Sequence, residues 1–391
     1  MFAPDNRLPG IAILAIVAAA LIVALPTVEA VADDAEKHEW KYSPELLRPF
    51  WLGDTVQGES VLFNRDEAGG GARAQLLFPV TKVLAVRNSA QETTYEEGRD
   101  YTWKPGSREI VLPPGSRITA SLPQDMRRPA KSQKYELTHR DGNGEIFFGG
   151  LLEYHALQTS VTYSHGPVEW KAATPKFAAK QLPRTIARLK EHKPTTIVLL
   201  GDSISSGCNA SGWGGGPPYQ PPFQDLFRQH LAESYKAPVE LKNLSVGGRD
   251  SAFGLTLADK VAAEKPDLVI LAFGMNDSAG RPAKEFQGFI EQTMAKVRET
   301  VPECEFILVA TMLGNRDWVR LKHELFPEYR DALATLVGPG VALADLTSIW
   351  TAMFEHKKDW DLTGNGVNHP NDFGHRIYAS VLSALLIPET K

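Results

Sequence analysis

The sequence is poor in cysteine: 391 residues contain only two, Cys208 and Cys304. No disulfide framework can carry the fold. The two thiols could pair only if the fold brings them together, and the default reading is that they stay free. There is no Lys/Arg run either. Forty-two basic residues stand against 47 acidic ones, a net charge of −5, which gives none of the basic footprint of a nucleic-acid binder. A Gly-x-Ser-x-Gly elbow is missing, which argues against an α/β-hydrolase. The glycine-rich loop Gly212-Trp213-Gly214-Gly215-Gly216-Pro217-Pro218 lacks the Gly-Lys-Ser/Thr ending of a phosphate loop. No internal repeat is apparent.

Long apolar runs are absent after the amino terminus. Residues 1–32 read as a secretory signal: Arg7 supplies a positive start, Ile11 to Leu25 carries no charge, and Ala30-Val31-Ala32 is a small-x-small cleavage site. The apolar run is short for a membrane span, which needs roughly 20 residues, so cleavage is expected rather than retention as an anchor. No lipobox cysteine is near. The mature protein is expected to be secreted or periplasmic, without stable membrane insertion.

The rest of the chain falls into two patterns. From 40 to 170, short apolar or alternating runs recur: Ser60–Phe63, Gln75–Phe78, Lys82–Val86, Glu109–Leu112, Glu145–Phe148 and Leu157–Tyr163. Pro113-Pro114-Gly115 and Asp141-Gly142-Asn143-Gly144 separate them as turns. Many short strands with regular turn signals suggest a β-sandwich or jelly roll. Residues 171–194 form a connector with a helix whose Ile186 and Leu189 share a face, ended by Lys193-Pro194. From 195 to 391, strand-like runs (Ile197–Leu200, Val239–Leu244, Leu268–Phe273, Phe306–Ala310, Val341–Ala344) alternate with helix-like stretches (Gln220–Ser234, Leu255–Glu264, Ala283–Thr300, Val319–Leu336, Asp372–Leu386). That alternation predicts a parallel sheet with helices on both faces.

Polar residues crowd four strand ends. Gly201-Asp202-Ser203 comes after the first strand, Asn243 to Asp250 after the second, and Gly274-Met275-Asn276-Asp277 after the third, while Asn365 to Asp372 precedes the last helix. Each alone reads as a turn or cap. Together they supply acyl-transfer chemistry at the carboxyl edge of a sheet, where open α/β folds place their sites. Ser203 is the candidate nucleophile and needs a base, for which His369 is the candidate. The backbone N–H groups of Ser203 and Gly248 and the amide of Asn276 could form an oxyanion hole.

In these blocks the sequence resembles the SGNH (GDSL-type) hydrolases, over roughly Thr196 to Pro388. Gly201-Asp202-Ser203, Asn243 to Gly248, Gly274-Met275-Asn276-Asp277 and His369-Pro370 match the family blocks in order. The resemblance implies a flavodoxin-like three-layer α/β/α domain behind the β-sandwich, with Ser203 as nucleophile, His369 as base, Gly248 and Asn276 in the oxyanion hole, and no cofactor. One position departs: the family's Asp three residues before the histidine is Gly366 here. A backbone carbonyl near 365–367 could replace it, or Asp361 or Asp372 could reach in. A metal site at His369, Asp372 and His375 is disfavoured: Asp372 is expected to cap the last helix and His375 to lie on it. Arg249 and Asp250 read as a local ion pair that could touch substrate.

The expectation is an exported serine esterase that removes acyl groups, chiefly O-acetyl, from a polysaccharide or oligosaccharide. Trp213 or Tyr219 would stack on a sugar. The alternatives are a short-chain esterase or lysophospholipase-like lipase, and a catalytically weak carbohydrate-binding protein on a hydrolase fold.

Overall fold

The computed structural model describes residues 40–65, 71–167 and 170–389. The expected secretory signal at 1–32 lies outside them. Among the described residues no helix is long and apolar enough to cross a membrane.

The carboxyl-terminal part is built on five parallel strands: β1 (Thr195–Gly201), β2 (Val239–Asn243), β3 (Leu268–Ala272), β4 (Glu305–Ala310) and β5 (Val341–Asp345), in the order β2-β1-β3-β4-β5. That is the flavodoxin-like order, with its switch point between β1 and β3. The central strands are apolar along their length because both faces are covered. In β1, Ile197 and Leu199 point into one core and Val198 and Leu200 into the other. The same alternation runs through β3 and β4, the period-two signature of a two-sided sheet. Helices Phe223–Tyr235, Leu346–Met353 and Asp372–Leu386 cover the first face, and Ala258–Ala263, Ala283–Thr300 and Leu325–Ala334 the second.

The amino-terminal part is β-rich. Thr55–Val61, Thr159–His165 and Val80–Asn88 form a three-stranded antiparallel sheet with Thr159–His165 in the middle. Five shorter strands make a second sheet, and Arg127–Arg128 pairs with Glu145–Ile146. The core of this part is continuous with the first face of the parallel sheet: Phe50, Phe78 and Val161 belong to the same buried cluster as Phe373 and Ile377. The flavodoxin-like α/β part therefore comes after an amino-terminal β-rich region, with helix Pro183–Lys190 between, burying Ile186 and Leu189.

Several elements are shorter than their sequence patterns. The strand at Gln75 ends there, because the Leu77 N–H turns to the Glu59 carboxylate instead of a neighbouring strand. The helix expected from Val319 begins at Leu325; Pro327 would set its ring against the carbonyl of residue 323 in any earlier turn. Leu255–Glu264 is two short helices, Ser251–Thr256 and Ala258–Ala263, the first capped by Asp250.

Candidate active site

β1 ends at Gly201, where a Cβ would lie 2.4 Å from the Ser205 hydroxyl and 2.5 Å from the carbonyl of Ala272. Only glycine lets the chain turn there against β3. Two residues on, Ser203 stands at the floor of a cleft, 9% exposed. Asp202 beside it is buried and accepts the N–H of Ile204; burial pushes its carboxyl up to about 7.

His369 comes from the loop before the last helix, and its Nε2 is 2.9 Å from the Ser203 Oγ. Loss of solvent lowers its pKa to about 4, so the ring is neutral at ordinary pH and can accept a proton. On the other side of the ring, Nδ1 lies 2.7 Å from Oδ1 of Asn209 and 3.1 Å from Nδ2 of Asn365.

The sequence reading missed Asn209. An asparagine in a turn carries no signal of its own, and this one is 160 positions from its partner. The proposed carboxylates do not reach the ring. Asp361 accepts the N–H groups of Leu62 and Lys358. Asp372 accepts the N–H of Ser211. Gly366 sits at φ +81°, and a Cβ there would lie 2.4 Å from the carbonyl of Phe147 and 2.7 Å from the Tyr154 ring. No side chain fits at the position where the family carries its aspartate.

Gly248, at φ +73°, and Asn276 line the same cleft as Ser203 and His369. One hydrogen of the Asn276 amide goes to the carbonyl of Arg249, 2.9 Å away, which ties the glycine loop to the end of β3 and leaves the second hydrogen for a ligand. Beneath them, Arg281 bonds both Asp250 and Asp277 at 2.7 Å, and Asp277 accepts from Ser251. The ion pair expected for Asp250 is thus made with Arg281, while Arg249 lies over the ring of Phe253. Asn371, not Asp372, caps the last helix, accepting from Gly374. His375 lies on that helix in the core, its Nδ1 accepting from Phe223 N–H and its Nε2 facing the carbonyl of Cys208. The two cysteines are unpaired.

The cleft has a volume of about 840 Å³. Trp213, Trp318 and Val319 wall it from the hydrolase part, and Tyr135, Leu137, Phe148 and Leu151 from the β-rich region. Tyr219 is not among its lining residues. Arg140 of the β-rich region donates to the carbonyls of Arg316, Trp318 and Leu321, which holds the Trp318 wall in place. Tyr135, Leu151, Trp213 and Val319 are 45–59% exposed around the mouth, an apolar rim of the kind that marks a binding surface.

Residues 199–377 match the profile of the family described as GDSL-like Lipase/Acylhydrolase. Among solved structures the chain is similar to a two-domain esterase (CEX) active on acetylated mannans, co-crystallized with mannopentaose, at 19% identity and a TM-score of 0.42. That similarity covers 56% of this chain and 58% of the other. It is also similar to the lipase Lip_vut3 from a goat rumen metagenome (16% identity, 49% of this chain and 97% of that one, TM-score 0.40). A lipase/acylhydrolase from Enterococcus faecalis aligns at 22% identity over 48% of this chain and 93% of that one, with a TM-score of 0.38. Comparison with curated proteins gives no match.

Proposed function

We infer that this chain, which in residues 199–377 belongs to the GDSL-like lipase/acylhydrolase family, is a serine esterase that removes small acyl groups from carbohydrate. The observation that carries the catalytic reading is the Ser203–His369 contact of 2.9 Å to an imidazole held neutral. Ser203 Oγ attacks the ester carbonyl carbon while its proton moves to His369 Nε2. The tetrahedral oxygen is met by the Ser203 and Gly248 N–H groups and by the free hydrogen of the Asn276 amide. As the intermediate collapses, the leaving alcohol takes the proton from Nε2. Water, deprotonated by the same nitrogen, then releases the acid from Ser203. Each oxyanion donor contributes on the order of 3 kcal/mol to the barrier reduction.

The substrate class rests on the cleft. Tyr135, Trp213 and Trp318 line it with aromatic surface, which suits the apolar faces of sugar rings, with the ester at Ser203. The aliphatic rim residues Leu151 and Val319 favour the second reading, an esterase of longer acyl chains. We further propose that the enzyme is exported, in keeping with its expected secretory signal. The test is acetate release from acetylated xylan, mannan and pectin beside p-nitrophenyl acetate and octanoate, with Ser203→Ala as control. Acetate release that disappears in the variant supports the carbohydrate reading. Octanoate cleavage without acetate release replaces it with the second, and polysaccharide binding without hydrolysis of any ester overturns both.

A further inference from the structure

We propose that Asn209 is the third member of the triad, and that the β-rich region, through the carbonyl of Leu151, fixes which nitrogen of His369 carries the proton. This rests on the esterase reading above. For Nε2 to accept the serine proton, Nδ1 must hold the ring hydrogen and have an acceptor for it. Two side-chain amides meet Nδ1 and demand opposite tautomers: Asn209 offers an oxygen at 2.7 Å, Asn365 an NH2 group at 3.1 Å.

The orientation of each amide is set by its other bonds. Asn209 Nδ2 faces the carbonyls of Leu151 and Gly364, both at 3.2 Å, so its oxygen must face the ring. Asn365 Oδ1 accepts from the N–H groups of Val367, Asn368 and His369, so its NH2 must face the ring, but it also has the Asn368 side-chain oxygen at 3.2 Å. Protonated at Nδ1, His369 donates the short bond to Asn209 and leaves Asn365 its bond to Asn368. Protonated at Nε2, it would set its Nδ1 lone pair against the Asn209 oxygen at 2.7 Å and lose the base function. The first arrangement keeps the shorter bond and leaves one hydrogen of the Asn365 amide without an acceptor, whereas the second sets two acceptors against each other at 2.7 Å.

The same geometry requires an amide at 209 rather than the usual carboxylate. A second oxygen in place of Nδ2 would stand 3.2 Å from two carbonyl oxygens with no hydrogen between them. The segment that supplies the Leu151 carbonyl is itself anchored on the histidine loop, through the Gly149 N–H to the carbonyl of Asn365 at 3.1 Å. Leu151 adopts φ +28°, a conformation a non-glycine residue holds only where its surroundings impose it. The β-rich region thus acts as a positioning element of the catalytic centre as well as a wall of the cleft.

The test uses the full chain. Asn209 lies at φ +67°, so Asn209→Gly keeps the backbone conformation while deleting the amide. We expect kcat on p-nitrophenyl acetate to fall about 10²-fold, the low end of what general base catalysis supplies, with KM within about twofold. Asn209→Asp is expected to lower kcat at pH 7 as well. In the wild-type protein the ¹⁵N NMR signals of His369 should report an Nδ1–H tautomer, turning into a mixture in Asn209→Gly. An unchanged kcat and tautomer in Asn209→Gly, or a kcat of Asn209→Asp above wild type, overturns the proposal. An Nε2–H tautomer in the wild-type protein overturns it even if neither variant folds. Absence of any ester hydrolysis by the wild type overturns the esterase reading instead, and the tautomer measurement still decides the role of Asn209.

Discussion

Replacing Lys357 by methionine should uncouple the β-rich region from the hydrolase part. Lys357 is fully buried, with its Nζ 2.7 Å from Glu59 and 2.8 Å from the carbonyl of Gln75. Both partners belong to the β-rich region, and Lys357 lies just before the histidine loop. Glu59, also fully buried, otherwise accepts only neutral donors among the described residues, the N–H of Leu77 and the hydroxyl of Tyr163 at 2.7 Å. Methionine fills a similar volume but leaves the Glu59 charge uncompensated and the Gln75 carbonyl without this donor. Breaking a buried pair from one side costs about 3–5 kcal/mol, a large share of the roughly 5–15 kcal/mol that holds a protein folded. The double variant Lys357→Met/Glu59→Gln removes the Glu59 charge, leaving only Asp361, 3.9 Å from the lysine nitrogen, so its loss should be smaller than the sum of the two single losses by about 2 kcal/mol. Urea unfolding monitored by tryptophan fluorescence and far-UV circular dichroism measures all four proteins. Wild type should unfold in one transition seen alike by both probes, since the two parts cannot separate without exposing this pair and their shared core. A loss below about 1 kcal/mol for Lys357→Met, additive single losses, or a separate early transition of the β-rich region in the wild type would refute the reasoning.

The site carries further expected outcomes. The lowered pKa of His369, about 4, places the acid limb of kcat/KM well below the ordinary imidazole value, and a limb near 6.5 would count against the assigned base. His369 and His375, the latter lowered to about 3, also make stability pH-dependent. The unfolded chain binds their protons first, so stability should fall as pH drops from about 6.5 toward 3, as thermal melts across that range would show. Gly366→Asp, which restores the family's carboxylate in sequence, should fail to raise activity. Its Cβ meets the Phe147 carbonyl at 2.4 Å, and overpacking of this kind costs about 1–3 kcal/mol. A more active variant of unchanged melting temperature would show that the β-rich segment yields there.

The parallel sheet was legible because its central strands are buried on both faces and so are written as unbroken apolar runs; Leu268–Ala272 needs no partner to be recognised. That Ser203, Gly248, Asn276 and His369 share one cleft was readable for a related reason. Sheet topology brings strand ends to one edge, so residues far apart in sequence keep a fixed order that exposes them as a set. What escaped depends on contacts across the whole chain. The Leu77 N–H abandons strand geometry for a carboxylate 18 positions away. Asn209 acquires its position only because Leu151 and Gly364 present carbonyls to it. A sequence pattern records what a local segment must do, and neither of these demands is local.

Gly366 and Asn209 are two sides of one rearrangement. Where the β-rich segment Phe147–Tyr154 packs onto the histidine loop, it takes the space of a side chain at 366, and the acceptor for Nδ1 comes instead from the turn after the nucleophile. The exchange alters the electrostatics of the step as well as its geometry. A carboxylate would stabilise the imidazolium that forms when Ser203 gives up its proton, and would raise the pKa of the ring. An amide oxygen stabilises it only as a dipole, and burial lowers the ring to about 4. Such a base is weaker at the moment of proton transfer, but it stays unprotonated far into the acid range. On the esterase reading proposed above, the barrier is then lowered chiefly at the oxygen of the tetrahedral intermediate. There Arg281 joins Asp250 and Asp277 next to the glycine loop, and Asn276 ties that loop to the sheet.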